Sequence, residues 1–224
     1  MKVMQSSDTQ IELMYQVQDR LNCLTIGPGW EVGNQDWKIA LSAAVHEVLE
    51  HWGWAWDKVQ SRNVQECKTN LIDCFSFLVS YAVTQNTQLS AKEFCLESRS
   101  LKYFYIKTMR DIWGTAQVEQ LQEVLLGIAS ILGMSPTDIF YWFVGKQQLN
   151  ILRQHKGYKQ GTYSKLWFGE EDNVHLARIL DEAKDTYSHI EPEVFESWIY
   201  RELEGLYNSW NFAPAETPFN QNPN

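Results

Sequence analysis

The apolar positions of this chain recur mainly at three- and four-residue intervals, and the alternation of a half-buried strand is scarce, so the pattern predicts an all-α protein. A first helix is expected over about Thr9 to Asn22, then a loop through Gly27, Pro28 and Gly29, then a long second helix from about Asp36 to Lys58. The third begins near Val64, with Leu71, Cys74, Phe75, Leu78 and Val79 on one core-facing stripe and Asp73 on another side. Residues from about Thr84 to Arg99 form a polar surface excursion, and helix resumes from Tyr103 to Leu132 before Gly133 ends it. Ser135 is then an N-cap, with Pro136 at the first helical position and Asp138 at the third. Two helices, about Val174 to Ser188 and Glu193 to Trp210, precede a Pro- and Asn-rich tail. The chain is expected to be one domain over 1–212, followed by a disordered tail over 213–224.

The helix opened by Ser135 carries Lys146, Asn150 and Arg153 at i, i+4 and i+7, which sets all three on one face. Gly157 and Gly161 interrupt the period, and Lys159, Tyr163, Lys165 and Trp167 follow, cations interleaved with rings. Such a strip suits an anionic ligand with a flat base. The plain alternative is a solvated helix end and a polar loop.

Charge narrows the ligand. With 224 residues, a net charge of -9 and a pI near 5.1, the chain lacks the basic surface that wraps a nucleic-acid polymer. A few lysines and arginines in one cleft still hold a small phosphate ester, so a nucleotide is favoured over a polynucleotide. Cys23, Cys67, Cys74 and Cys95 contain no C-x-x-C pair and are expected to be reduced thiols. No run approaches the ~20 apolar residues of a membrane span. The expectation is a soluble, cytoplasmic protein with no membrane partner. The ten tryptophans are expected mostly in core or dimer contacts.

Acidic residues supply a candidate metal site. Glu47 and Glu50 lie three apart on the second helix, and Glu66, Asn70 and Asp73 share a face of the third. A short connection makes these helices antiparallel neighbours, so oxygen-rich faces oppose, and Mg²⁺ is the cation that binds through few carboxylates plus substrate phosphates. The alternative is ordinary solvated carboxylates. His46, Glu47 and His51 do not make a zinc motif: the histidines are five apart and diverge on a helix.

These residues resemble the dimeric, all-α dUTPases, a family common in phages and trypanosomatids and related to MazG-type nucleotide pyrophosphohydrolases. The likeness runs from about Gln16 to Asn173. It rests on Gln18 and Asn22, Trp30, the H-x-G-W segment at His51 to Trp54, NLIDCFSFLVS from Asn70 to Ser80, and the string KxxxNxxRQxxGYxxGxYxKxWxGxEDN from Lys146 to Asn173. The resemblance implies a helical-bundle homodimer that converts dUTP and water to dUMP and pyrophosphate with Mg²⁺, or Mn²⁺ in its place. It places Lys146, Arg153, Lys159 and Lys165 on phosphates. Asn150, Tyr158, Asp172, Asn173 and Trp54 would line the nucleotide cleft, and Gln18 and Asn22 would read the base.

The family marks its metal site with E-x-x-E on the second helix and E-x-x-D on the third, and this chain has Ala44 and Glu47, then Asn70 and Asp73. Three expectations follow. Glu50 and Glu66 replace the missing acids in a displaced site, with Glu47 or Glu50 as catalytic base; or the cleft serves another pyrimidine deoxynucleotide; or the protein is a nucleotide-binding pseudoenzyme with a regulatory role.

Overall fold

The computed structural model describes residues 8–57, 59–90, 99–187 and 190–212, with the side chains of 186 and 187 excepted. It is helical apart from one short hairpin and the connecting loops. The elements are α1 (Asp8–Thr25), α2 (Trp37–Trp52), α3 (Val64–Thr84), α4 (Leu101–Trp113), α5 (Val118–Ile131), α6 (Pro136–His155), a two-residue hairpin of β1 (Leu166–Trp167) and β2 (Glu170–Glu171), α7 (Asp172–Glu182), α8 (Lys184–Tyr187) and α9 (Pro192–Asn211). The expected tail from 213 onward, and residues 91–98 of the expected surface excursion, lie outside the described residues.

Three boundaries differ from the sequence pattern. The second helix stops at Trp52, because Gly53 takes φ +78° and its N–H returns to the carbonyl of Glu50. The stretch from Tyr103 to Leu132 is two helices. Gly114 ends the first, and the Gln120 side chain accepts from the Gln117 N–H at 2.8 Å to open the second. The last helix before α9 is also divided, at Ala183. Ser135 caps α6 as expected: its hydroxyl accepts from the Asp138 N–H at 3.1 Å, and Asp138 accepts in return from the Ser135 N–H at 2.9 Å.

Helices α2 and α3 pack as an antiparallel hairpin. The Trp37 and Phe77 rings meet at 6.4 Å, the Cys67 thiol donates to the Val48 carbonyl at 3.4 Å, and the Asn63 N–H donates to the His51 carbonyl at 2.8 Å. As one number rises the other falls by a like amount, and this register puts Ala44 level with Asn70. Both are buried, at 4% and 7% exposure.

Helix α6 is the axis of the fold. The run Ile139, Phe140, Tyr141, Trp142, Phe143 and Val144 in its first half is apolar on every side, so it must be covered all round, and α1, α3, α7 and α9 pack around the helix. That demand draws Lys146, Gln147, Gln148 and Arg153 inside with Phe140, Phe143, Leu149 and Leu152. Buried polar groups need partners, and meeting that need builds the site.

Candidate functional site

Lys146 and Arg153 anchor a buried polar network. The Arg153 guanidinium donates from Nε and Nη2 to the two carboxylate oxygens of Asp172 at 2.8 and 2.6 Å, and from Nη1 to Asn150 Oδ1 at 2.8 Å. Lys146 Nζ stands 3.0 Å from Asn173 Oδ1 and 3.3 Å from an oxygen of Asp73. Tyr163 adds a hydroxyl donor to Asp172 at 2.8 Å. Burial lowers the affinity of Lys146 for its proton, with the Asp73 charge working against that shift. For Arg153 burial also opposes the charge, but the hydrogen bonds it donates to the Asp172 carboxylate outweigh this and the proton is held more tightly. Burial and the Asp172 carboxylate push the Tyr163 phenol up.

The hairpin brings Asp172 to this place. Phe168 and Gly169, at φ 50° and 84°, form the tight turn between β1 and β2, and the Asp172 N–H bonds to the Lys165 carbonyl at 2.8 Å. Trp167 is fully buried and stacks on His175 at 5.6 Å, which pins the hairpin to α7.

In front of the network lies a cavity of about 300 Å³. Of the expected site residues, Gln18, Asn22, Asp73, Asn150, Arg153 and Tyr158 line it. Lys146, Asp172 and Asn173 are joined to that wall through Asp73 and Arg153. Sequence reasoning missed Trp37, Ser76, Phe77, Gln147 and Gln154, which also line it. The i, i+4 pair Ser76 and Ser80, following Asp73 on α3, was the signal for polar contacts there.

The remaining cations lie outside the buried network. Lys159 is exposed and donates to the Leu24 carbonyl at the C-terminal end of α1, at 3.2 Å. Lys165 is exposed and sits 5.6 Å from the centre of the Tyr158 ring. Trp54 is not part of the cavity wall. It is half exposed on the α2–α3 connection and donates to Glu50 at 2.6 Å.

The acids expected to hold a metal are dispersed in their contacts. Glu50 faces Trp54 and stands 3.5 Å from His46, Glu47 is exposed, and Asp73 is paired with Lys146. Among the described residues no group of three His, Cys, Asp or Glu side chains is close enough to hold a metal ion. Glu47 and Asp73 both bear on Cys74: burial raises its thiol well above its ordinary value, and the charges of Asp73 and Glu47 add to the shift. Two carboxylates and the Asn70 amide fit a magnesium ion only if substrate phosphates complete its shell.

Fold and site together define a predominantly helical protein with a cavity of about 300 Å³ that is lined by amides and apolar side chains and backed by buried cations. A family model described as dUTPase matches residues 10–158, well over half of the chain, and the chain belongs to this family of nucleotide hydrolases. The hairpin, Asp172 and Asn173 lie beyond the matched segment. The search of curated proteins found no match. No single helix among the described residues is long and apolar enough to cross a membrane.

Proposed function

We propose that the protein is a metal-dependent deoxynucleoside triphosphate diphosphohydrolase, acting on dUTP or a related pyrimidine deoxynucleotide to release the monophosphate and pyrophosphate. The observation that carries this reading is one cavity whose wall holds base-reading amides, Gln18 and Asn22, and the Asn150–Arg153 edge of a buried cationic network. Gln18 and Asn22 orient the base. Tyr158 and Lys165 cover the phosphates at the mouth with Lys159, while Arg153 and Lys146 hold Asp172 and Asp73 in place. A water oxygen bonds to the α-phosphorus, the bond to the bridging oxygen breaks, pyrophosphate leaves, and Glu47 accepts the proton. Glu47, Asp73 and the Asn70 amide would hold Mg²⁺ or Mn²⁺ brought with the phosphates. The chemistry such an ion supplies is charge neutralisation and a more acidic water.

The exposed Tyr103, Ile106 and Trp113 on one side of α4 support a homodimer, which sedimentation of the whole chain would test.

A second reading has its own observation. Ala44 and Asn70, level with each other and buried, remove charge from the α2–α3 face, as a changed substrate or a regulatory nucleotide-binding protein would allow. Pyrophosphate release from a panel of deoxynucleoside triphosphates, with and without Mg²⁺ or Mn²⁺, separates the two. Metal-dependent release is expected. Nucleotide binding with no release under any ion would overturn the enzymatic reading in favour of the regulatory one.

A further inference from the structure

Two hydrogen-bond chains begin on α3, and each leaves a buried carbonyl oxygen unpaired on a glutamine that lines the cavity. The Ser76 hydroxyl donates to the Ile72 carbonyl at 3.0 Å, and the Ser80 hydroxyl donates to the Ser76 carbonyl at 3.0 Å. A hydroxyl has one hydrogen, so once it is used on the preceding turn its oxygen only accepts. That fixes the amides around it. Gln147 turns its Nε2 to Ser76 Oγ, and Asn22 turns its Nδ2 to Ser80 Oγ at 3.0 Å. Asn22 Oδ1 is left to accept from Gln18 Nε2 at 2.9 Å. Each chain leaves one atom over. Gln147 Oε1 and Gln18 Oε1 meet no donor among the described residues, although the two side chains are 0% and 3% exposed.

Turning either amide over alone would set oxygen against oxygen, at Ser76 or at Asn22, and relieving that would take the Ser76 hydroxyl off the Ile72 carbonyl or turn Asn22 as well. Buried acceptors without a donor are costly, and a bound ligand that brings donors recovers that cost. Both glutamines line the same cavity.

We infer that Gln147 is a specificity-determining residue, and that Gln147 and Gln18 together read a base with an exocyclic amino group, a 4-aminopyrimidine in preference to a 4-oxopyrimidine. The inference rests on the assignment of this cavity to the base of a nucleotide. An exocyclic amino group carries two hydrogens on one nitrogen and serves two acceptors. The 4-oxo edge offers one ring N–H between two carbonyl oxygens, so it serves one acceptor and sets lone pairs towards the other.

The test is calorimetric binding of α,β-imido dCTP and α,β-imido dUTP to the whole chain, with the wild type and Ser76→Ala. The wild type is expected to favour the 4-amino analogue by roughly tenfold or more. Ser76→Ala frees the Gln147 amide to turn over, so the preference between the two analogues shrinks towards unity. A structural role alone would weaken both analogues equally. Equal affinity of the wild type for the two analogues, or preference for the 4-oxo analogue, overturns the inference and leaves the cavity a nucleotide site. Failure of both analogues to bind removes the nucleotide assignment as well. Should Ser76→Ala not fold, the wild-type preference decides alone.

Discussion

Arg153 and Asp172 meet through two parallel hydrogen bonds of 2.8 and 2.6 Å, with the carboxylate wholly shielded from solvent. The pair is bidentate, and Tyr163 bonds one of the same oxygens. Removing one partner strands a buried charge. Asp172→Ala is therefore expected to lower stability by about 3–5 kcal/mol, and Arg153→Ala by a similar amount. The double variant should lose much less than the sum, because neither charge is then left alone. Urea unfolding of the four proteins measures this coupling; additive losses would show that the pair contributes little. Arg153→Glu is expected to abolish nucleotide binding, and unimpaired affinity would remove Arg153 from the site.

Ala44 and Asn70 occupy one level of the α2–α3 hairpin, both buried. Placing glutamates at both positions adds two carboxylates to a face that already has Glu47 and Asp73 close by. In the absence of divalent ions the double variant should be several kcal/mol less stable than the wild type, since buried like charges cost free energy. Mg²⁺ should restore much of that loss. Thermal melts in EDTA and in Mg²⁺ read the effect: a shift seen in the variant and much smaller in the wild type is expected. Pyrophosphate release by the variant above the wild-type rate would show that these two positions limit turnover. Melting points that ignore Mg²⁺ would mean that the face holds no ion.

Asp138 gives the fold an acid-sensitive joint. Burial tends to raise its carboxyl, but hydrogen bonds from Lys184 and Ser135 overcome this and the net shift is downward. A carboxyl held below its unfolded value stabilises the protein above that unfolded value, near ~4. The contribution is lost as pH falls through the lower, folded value. Asp138→Asn should therefore cost ~1 kcal/mol at neutral pH and flatten the pH dependence of stability below about pH 4. Denaturant midpoints across the acid range decide; an unchanged slope would assign acid sensitivity to other groups, Asp111 among them.

Much of this architecture was legible because its causes are local. The Ser135, Pro136 and Asp138 signal for α6 needs only the residues of one turn, and the spacing of Lys146, Asn150 and Arg153 needs only helical periodicity. Gly53 was a readable stop that the apolar run around Trp54 and Trp56 masked. Less could be read about partners. That Arg153 spends its bonds on Asp172, nineteen residues away, depends on how a hairpin folds back. Gln147 carried no signal, because an amide has no charge and the direction of its hydrogen bonds is set by Ser76 on another helix. The acidic face was harder to read for a related reason: spacing places Glu50 and Glu66 near one connection, but it does not show that the Trp54 indole donates to Glu50.

Gly127 on α5 lies against the Phe104 ring of α4. A Cβ built there would lie 2.2 Å from Phe104 Cε1, well inside contact distance, and the ring is buried with little room to move. Alanine is the better helix former by about 1 kcal/mol, so propensity alone predicts that Gly127→Ala stabilises the protein. Overpacking costs about 1–3 kcal/mol and should win, leaving the variant less stable. Phe104→Leu in the same chain removes the obstructing ring edge, so the second substitution should recover part of the loss caused by the first. Urea midpoints of the single and double variants settle the sign. A more stable Gly127→Ala would mean that the two helices part easily, and that the glycine serves no packing purpose.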